Sequence, residues 1–252
     1  MRWTIGYIGV KDFFTLINLL GGVFGIYFAI AGQIDYAAYS IFIGYGLGDC
    51  LDGLVARLTK TGNRFGSEFD AATDHLAQAV APAVIVFAAY TQAGWKWMGL
   101  FLMALIITTA TLRQARGRVA QFRFRLAYNG LPRTISGLTV VAMPNATLFF
   151  QNWDYGLEGG VGVICLVALL NLAPVPYMSH NGRALQGYVK ILALAFFAVP
   201  VILFVFARDF VLDFVFVLSF GYALTAWIPL YPDERKAYYD EYRIWSKKLN
   251  AQ

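Results

Sequence analysis

Hydrophobic residues fill most of the chain in long runs that are separated by short polar stretches. A helix needs about 20 apolar residues to cross a bilayer, and eight runs approach this length. We predict spans near Phe13–Ala31, Tyr36–Leu58, Asp74–Tyr90, Trp97–Arg113, Thr134–Gln151, Gly159–Val175, Tyr188–Ala207 and Phe210–Leu230. Only Arg208 and Asp209 separate the last two spans, which should form a tight hairpin. The pattern predicts an all-α polytopic membrane helix bundle with about eight transmembrane helices.

Composition agrees with this pattern. Of the 252 residues, 59% are hydrophobic and 14% are charged. Soluble domains are about 45–50% apolar and about 25% charged, so a sizeable soluble domain is excluded. The two cysteines, Cys50 and Cys165, fall within or beside spans. We therefore interpret them as small apolar residues and expect no disulfide.

Both ends of the chain have the pattern of short helices at the membrane surface. The first residues, "MRWTIGYIGVKDFF", mix aromatic residues with a few charges. The tail "DERKAYYDEYRIWSKKLNAQ" places Tyr238, Tyr242, Trp245 and Leu249 on one helical face, flanked by Lys and Arg. We predict an interfacial helix at each terminus, with a plain solvated tail as the alternative for the second.

The positions of Lys and Arg predict the orientation of the chain in the membrane. With the N-terminus in the cytoplasm, the predicted spans leave only Lys96 and Arg208 on the far side, so 18 of the 20 cationic residues are cytoplasmic. Both termini are then cytoplasmic. Because these charges are divided among loops of a membrane protein, nucleic acid is a poor partner. Anionic lipid headgroups and nucleotide phosphates fit better.

Four aspartates stand at the cytoplasmic mouths of the second and third spans. Asp49 and Asp52 are three residues apart, and Asp70 and Asp74 are four apart, so each pair can share one helical face. Four crowded carboxylates repel one another unless a cation lies among them, and such oxygen ligands suit magnesium, manganese or calcium. The alternative is a set of salt bridges to nearby Lys and Arg side chains.

Small and cationic residues lie among the aspartates. Gly53 and Gly66 lack a side chain and would allow a bulky ligand to approach the backbone. Arg57, four residues after Gly53, could bind a phosphate bidentately. Divalent metals, an arginine and a floor of small residues suit displacement at phosphorus, although each glycine alone could equally serve helix packing.

Eight of these positions form one signature, Asp49-x-x-Asp52-Gly53-x-x-Ala56-Arg57 followed by Gly66-x-x-x-Asp70-x-x-x-Asp74. The signature resembles that of the CDP-alcohol phosphotransferases without a departure. This resemblance implies a bundle of membrane helices, usually a homodimer. The implied reaction moves a phosphatidyl-type group from a CDP-linked lipid to an alcohol and releases CMP.

Further segments resemble the phosphatidylserine synthase branch of that family. They are "FFTLINLLGGVFGI", "AVAPAVIVF", "LRQAR" and "YNGLP", with Ala79 where that branch usually has Gly. The resemblance implies CDP-diacylglycerol or CDP-archaeol and L-serine as substrates. The resemblance covers roughly Phe13–Arg183, so we expect a catalytic core at residues 1–183 with six spans. For residues 184–252 the hydrophobic pattern predicts a hairpin of two spans and a cytoplasmic amphipathic tail.

The resemblance assigns roles to individual residues. Two divalent cations, Mg²⁺ or Mn²⁺, with Ca²⁺ as a possible non-productive substitute, would be held by Asp49, Asp52, Asp70 and Asp74. Asp74 would also be the catalytic base. The CDP group would be bound by Asp52, Gly53, Ala56, Arg57, Gly66 and Asp70. For the acceptor we single out Arg113, Arg116, Asn129 and Arg133.

Two alternatives stay open at this point. Inositol phosphate or glycerol phosphate as acceptor would need similar arginines, so charge does not select serine. A cation transporter could also use membrane aspartates. Transporter sites, however, tend to lie near the bilayer midplane between internal repeats, whereas these aspartates cluster at one edge and no repeat is visible.

Overall fold

The chain folds into a bundle of helices, seen in a computed structural model that describes residues 8–49, 55, 63–119, 122, 124–178, 199–200, 202–225 and 230–249. The first half of the bundle contains α1 (Val10–Ile30), α2 (Ile34–Gly44), α3 (Arg64–His75), α4 (Ala81–Gln92) and α5 (Lys96–Val119). A π-helical turn, Tyr45–Asp49, extends α2, and a second one, Leu76–Val80, connects α3 directly to α4.

The second half of the bundle is more interrupted. It contains α6 (Arg133–Ala142), α7 (Gly156–Leu172), α8 (Val211–Thr225) and α9 (Pro232–Leu249). Short turns of other helix types flank α6 and α8, namely Met143–Asn145, Thr147–Gln151 and Arg208–Phe210. An antiparallel pair, β1 (Ala127–Asn129) and β2 (Pro176–Met178), joins the loops before α6 and after α7, with Tyr128 opposite Tyr177.

The prediction of a membrane helix bundle is confirmed at this coarse level. Within the described residues, three helices are long and apolar enough to span a membrane, Val10–Ile30, Arg64–Gln92 and Lys96–Val119, and Gly156–Leu172 is a shorter apolar helix. The third predicted span begins earlier than expected, at Arg64, so Asp70 and Asp74 lie inside a helix. The predicted span Thr134–Gln151 is not one continuous helix, because Pro144 lies in the 3₁₀ turn that ends α6.

Some predicted elements fall on the undescribed part of the chain. Residues 1–7 of the predicted N-terminal surface helix lie outside the described residues, as does most of the predicted span Tyr188–Ala207. The C-terminal helix is present as α9, and its aromatic face packs on Phe122 of the loop after α5.

Close contact between α1 and α2 positions the first aspartate. A Cβ atom on Gly21 would lie 2.6 Å from the Cα of Gly44, so the two backbones touch there. One turn further on, a Cβ on Gly48 would lie 2.5 Å from the backbone nitrogen of Asn18. Only glycine allows these approaches. They bring Asp49, the residue after Gly48, close to Asn18 on α1.

A buried carboxylate fastens α8 to the bundle. Asp213 is 3% exposed, and its two oxygens accept the backbone N–H groups of Thr147 (3.1 Å) and Leu148 (2.8 Å). It therefore satisfies the first amides of the π-helical turn Thr147–Gln151, which have no partner within their own turn. At the other end of α8, the hydroxyl of Tyr177 donates to the carbonyl of Ala223.

Candidate active site

Three of the four predicted metal ligands converge. Asp49 ends the π-helical turn after α2, and Asp70 and Asp74 lie one turn apart on α3. One carboxylate oxygen from each of the three lies within 4.8 Å of the other two. Carboxylate oxygens at this spacing form a donor set that suits a hard divalent cation, so the residues present fit a metal. The fourth predicted ligand, Asp52, lies outside the described residues.

Asp74 is the most enclosed of these aspartates, at 8% exposed, and it is held from three directions. Its Oδ1 accepts from Asn18 Nδ2 (3.2 Å) and from Gln78 Nε2 (2.9 Å). Its Oδ2 accepts from Arg133 Nη2 (2.7 Å), which forms an ion pair. The donors come from α1, from the π-helical turn after α3 and from the first residue of α6. They compensate for the burial of the carboxylate and leave it one orientation.

Gln78 connects Arg133 to Asp74 a second time. While its Nε2 donates to Asp74, its Oε1 accepts from Arg133 Nε (3.3 Å) and from the hydroxyl of Thr134 (3.3 Å). Gln78 is 7% exposed, so its amide belongs to the interior of the bundle. The position of the Arg133 guanidinium is thus set by two acceptors, a carboxylate and an amide oxygen.

Gly66 lies where two helix N-termini meet. The backbone N–H of Gly66 donates to Asn63 Oδ1 at 2.6 Å, and Asn63 thereby caps α3. A Cβ atom on Gly66 would lie 2.5 Å from Asp12 Oδ1 and 2.6 Å from Lys11 Nζ, two residues at the start of α1 that form an ion pair of 3.1 Å. The other predicted CDP-binding residues, Asp52, Gly53, Ala56 and Arg57, lie outside the described residues; Asp70 is in the carboxylate cluster.

The four predicted acceptor residues separate into two groups. Arg133 is in direct contact with the aspartate cluster. Arg113 and Arg116 instead donate to the carbonyls of Asn171 (3.0 Å) and Leu172 (2.8 Å), the last two residues of α7. Cations at a helix C-terminus interact favourably with its partial negative charge and its unpaired carbonyls.

Asn129 is the fourth of these residues. Its Oδ1 accepts the hydroxyl of Tyr238 from α9 at 2.9 Å. The structure therefore brings Arg133 to Asp74, while the other three predicted acceptor residues bind protein groups around the loop before α6.

Sequence reasoning missed two residues of the site. Asn18 and Gln78 both donate to Asp74, and neither was singled out. The sequence held a signal for each: Asn18 is a polar residue in the middle of an apolar run, and Gln78 follows Asp74 by one helical turn.

Comparison with known proteins identifies the family. The family model described as CDP-alcohol phosphatidyltransferase matches residues 10–199, which is more than half of the chain. The chain belongs to this family. It is an integral membrane enzyme, and membership in a family of phosphoryl-group transferases decides against a cation transporter. The divalent metals that this family uses agree with the carboxylate cluster.

Curated relatives carry related names. A CDP-diacylglycerol–serine O-phosphatidyltransferase of Helicobacter pylori strain J99 is 28% identical over 224 residues, which cover 86% of this chain and 90% of that protein. An archaetidylserine synthase of Methanothermobacter thermautotrophicus is 24% identical over 180 residues, covering 70% and 72%. A CDP-diacylglycerol–serine O-phosphatidyltransferase of Methanocaldococcus jannaschii is 26% identical over 196 residues, covering 77% and 86%.

Proposed function

We propose that this enzyme transfers the phosphatidyl or archaetidyl group of a CDP-linked lipid to the hydroxyl of L-serine and releases CMP. The observation that carries this proposal is the carboxylate cluster of Asp49, Asp70 and Asp74, in which Asp74 is tied to Arg133. The family assignment supports the reaction class. The names of relatives from bacteria and archaea support serine as the acceptor and leave both ester- and ether-linked lipids open.

In the proposed reaction, Asp74 removes the proton of the serine hydroxyl. The serine oxygen then forms a bond to the lipid-side phosphorus, and the bond from that phosphorus to the CMP oxygen breaks, so that CMP leaves with the electron pair. The N–H groups of Asn18, Gln78 and Arg133 hold the Asp74 carboxylate in one orientation for this step. Bound divalent cations would neutralise phosphate charge on the leaving group.

We assign the remaining roles by the signature. Asp49, Asp52, Asp70 and Asp74 would hold two cations, Mg²⁺ or Mn²⁺. Asp52, Gly53, Ala56, Arg57, Gly66 and Asp70 would bind the CDP group.

Arg133 is the acceptor candidate that the contacts favour. It lies next to the proposed base, so it could bind the carboxylate of serine while the hydroxyl faces Asp74. Arg113, Arg116 and Asn129 would act from the loop before α6 and the end of α7.

The larger organisation belongs to the same proposal. We propose eight spans, a catalytic core at residues 1–183, a C-terminal hairpin and tail at residues 184–252, and a homodimer. Both termini and the active site would face the cytoplasm. The charge asymmetry of the sequence supports this orientation, because 18 of the 20 Lys and Arg residues would lie on that side.

An acceptor panel tests the proposal. Purified enzyme in detergent is given CDP-diacylglycerol or CDP-archaeol, with magnesium or manganese, and one of serine, inositol phosphate, glycerol phosphate or inositol. We expect CMP release that depends on serine and on the cation, with phosphatidylserine or archaetidylserine as product. CMP release with another acceptor and not with serine would overturn the serine assignment while leaving the family reaction intact.

A further inference from the structure

The C-terminal helix α9 packs on the loop that precedes α6. Tyr238, in the middle of α9, is 0% exposed. Its ring makes edge-to-face contacts with Phe122 (5.4 Å between centroids) and Phe124 (5.5 Å). Phe122 and Phe124 lie inside the region that matches the family model, residues 10–199, whereas Tyr238 lies outside it. A helix outside the region matched by the family model, which we call the family core, therefore covers part of that core.

The aromatic face of α9 is directed at the protein. Phe122 also contacts Tyr242 (5.4 Å) and Trp245 (5.6 Å), so the three aromatic residues that suggested a membrane-surface helix pack on one phenylalanine of the loop. Tyr239, the neighbour of Tyr238, is 40% exposed on another face of the helix. Anchoring to lipid alone does not account for this arrangement.

A hydrogen bond connects α9 to the loop that precedes α6. The Tyr238 hydroxyl donates to Asn129 Oδ1 at 2.9 Å. Burial, and then the neighbouring Tyr239 and Tyr242, raise the pKa of the Tyr238 phenol, so it remains a protonated donor at physiological pH. Asn129 is half-buried, and an amide oxygen that loses its partner in such a place regains only part of its hydration, so this bond helps to hold the loop.

The loop itself is fixed on its other sides. Gly130 has a φ of 77° and donates its N–H to the carbonyl of Val175 at 2.9 Å. The N–H of Leu131 donates to the carbonyl of Leu170 at 3.0 Å, and Arg113 reaches the carbonyl of Gly130 at 3.4 Å. Backbone hydrogen bonds therefore constrain the segment at Gly130 and Leu131, and the Tyr238 hydroxyl constrains it at Asn129.

The same segment ends at the active site. Pro132 occupies the position before α6, and Arg133 is the first residue of α6 and binds Asp74. Arg133 follows Asn129 by four positions, so their Cα atoms are at most about 14 Å apart. The hydrogen bond from Tyr238 is therefore separated by only a short, constrained piece of backbone from Arg133, whose guanidinium we place beside the acceptor.

We propose that Tyr238 is a positioning residue for the acceptor alcohol: through Asn129, α9 holds the loop 129–133, and with it Arg133, in the geometry that binds the acceptor. This inference rests on the proposed function, since it takes Arg133 to be an acceptor contact. It adds a residue from outside the family core to the determinants of acceptor affinity. The CDP-linked lipid, bound by the signature on α2 and α3, should be unaffected.

The test is Tyr238→Phe, which keeps the buried ring and removes only the hydroxyl, with Tyr239→Phe as the matched control on the exposed face. For Tyr238→Phe we expect the KM for serine to rise about 3- to 10-fold, the effect of one lost hydrogen bond. The KM for the CDP-linked lipid should stay within about 2-fold, and kcat should change less than the KM for serine, because Asn18 and Gln78 still hold Asp74. Tyr239→Phe should leave all three unchanged. A lower melting temperature of Tyr238→Phe with an unchanged acceptor KM would overturn the proposal and leave α9 a purely structural role.

Two further readouts separate this inference from the proposed function. If the wild-type enzyme uses another acceptor in the panel, the serine assignment fails, and the same KM comparison is made with that acceptor. Independently of any activity, hydrogen–deuterium exchange of the amides in segment 127–131 should be faster in Tyr238→Phe than in the wild-type protein or in Tyr239→Phe. Equal exchange in all three proteins would show that Tyr238 does not hold the loop, whichever acceptor is used.

Discussion

Arg133 Nη2 lies 2.7 Å from Asp74 Oδ2 and ties the first residue of α6 to the last turn of α3. The contact places a guanidinium against the carboxylate to which we assign proton removal. It also brings a predicted acceptor residue and a predicted metal ligand, 59 residues apart in the chain, into one site.

Replacing Asp74 by Asn should abolish turnover. Asn has nearly the same volume, but its amide is a far weaker proton acceptor and directs N–H groups toward one of its present donors, Asn18, Gln78 or Arg133. We expect CMP release to fall by roughly 10²–10⁴-fold, the usual contribution of general base catalysis, with some binding of the CDP-linked lipid retained. The exposed Asp154→Asn serves as the control. Near-normal activity of the Asp74 variant would contradict the assignment of Asp74 as the catalytic base.

The enzyme should need both the positive charge of Arg133 and the planar guanidinium group that donates in two directions. Arg133→Met leaves the buried Asp74 without its cation, and Arg133→Lys keeps the charge but cannot reach both Gln78 and Asp74 in the same geometry. We expect kcat/KM for serine to fall by about 10²-fold or more in the first variant and by about 10-fold in the second. Arg118→Gln is the matched control, since the Arg118–Glu68 pair is exposed on both sides and such pairs contribute about 0–1 kcal/mol. Similar losses in all three variants would show that bulk positive charge, and not the contact with Asp74, matters.

Two glycines in one turn should respond in opposite ways to the same substitution. A Cβ on Gly48 would meet the backbone of Asn18 at 2.5–2.8 Å, whereas a Cβ on Gly46 would have nothing within 4 Å. Gly48→Ala should therefore push α2 away from α1, disturb the Asn18–Asp74 hydrogen bond and lower both the melting temperature and kcat. Gly46→Ala should be neutral or stabilise the helix by up to about 1 kcal/mol. Thermal unfolding and CMP release of the two purified variants check this; an unaffected Gly48→Ala enzyme would contradict the close approach.

Asp213 should contribute to stability more than to chemistry. Asp213→Ala leaves the buried N–H groups of Thr147 and Leu148 without an acceptor, which should cost about 2–4 kcal/mol. Asp213→Asn keeps one acceptor oxygen and should cost less. Thermal unfolding in detergent measures the order, with the exposed Asp209→Ala as control. If Asp213→Ala unfolds at the wild-type temperature, the carboxylate does not fasten α8.

Much of this architecture was predictable from local patterns. Apolar runs indicated α1 and α7 to within three residues, because the bilayer requires long uninterrupted hydrophobic segments. The start of α5 was also indicated, but α5 continues six residues beyond the predicted end, to Val119. The spacing of Asp70 and Asp74 indicated a shared helical face, and both contribute to the observed carboxylate cluster. Asp49 joined them as expected. The interruption after α6 was not recognised, although Pro144 was a visible signal for it.

The partners of these residues were decided by the tertiary structure. Asn18 and Asp74 are 56 residues apart, and Tyr238 and Asn129 are 109 apart. No periodicity connects positions at such distances. Arg113 and Arg116 show the same limit: the sequence singled them out as acceptor residues, but only the structure shows that they bind the last carbonyls of α7.

The sequence by itself therefore determined which segments are helical and apolar, and which carboxylates can share a face, since both depend on contacts within a few turns. Only the packing of α1, α3, α6 and α9 decided that Asp74 is held by Asn18, Gln78 and Arg133, and that Tyr238 anchors the neighbouring loop. The physical reason is that burial imposes hydrogen-bond partners on polar groups, and in a bundle those partners come from whichever helix lies nearest in space.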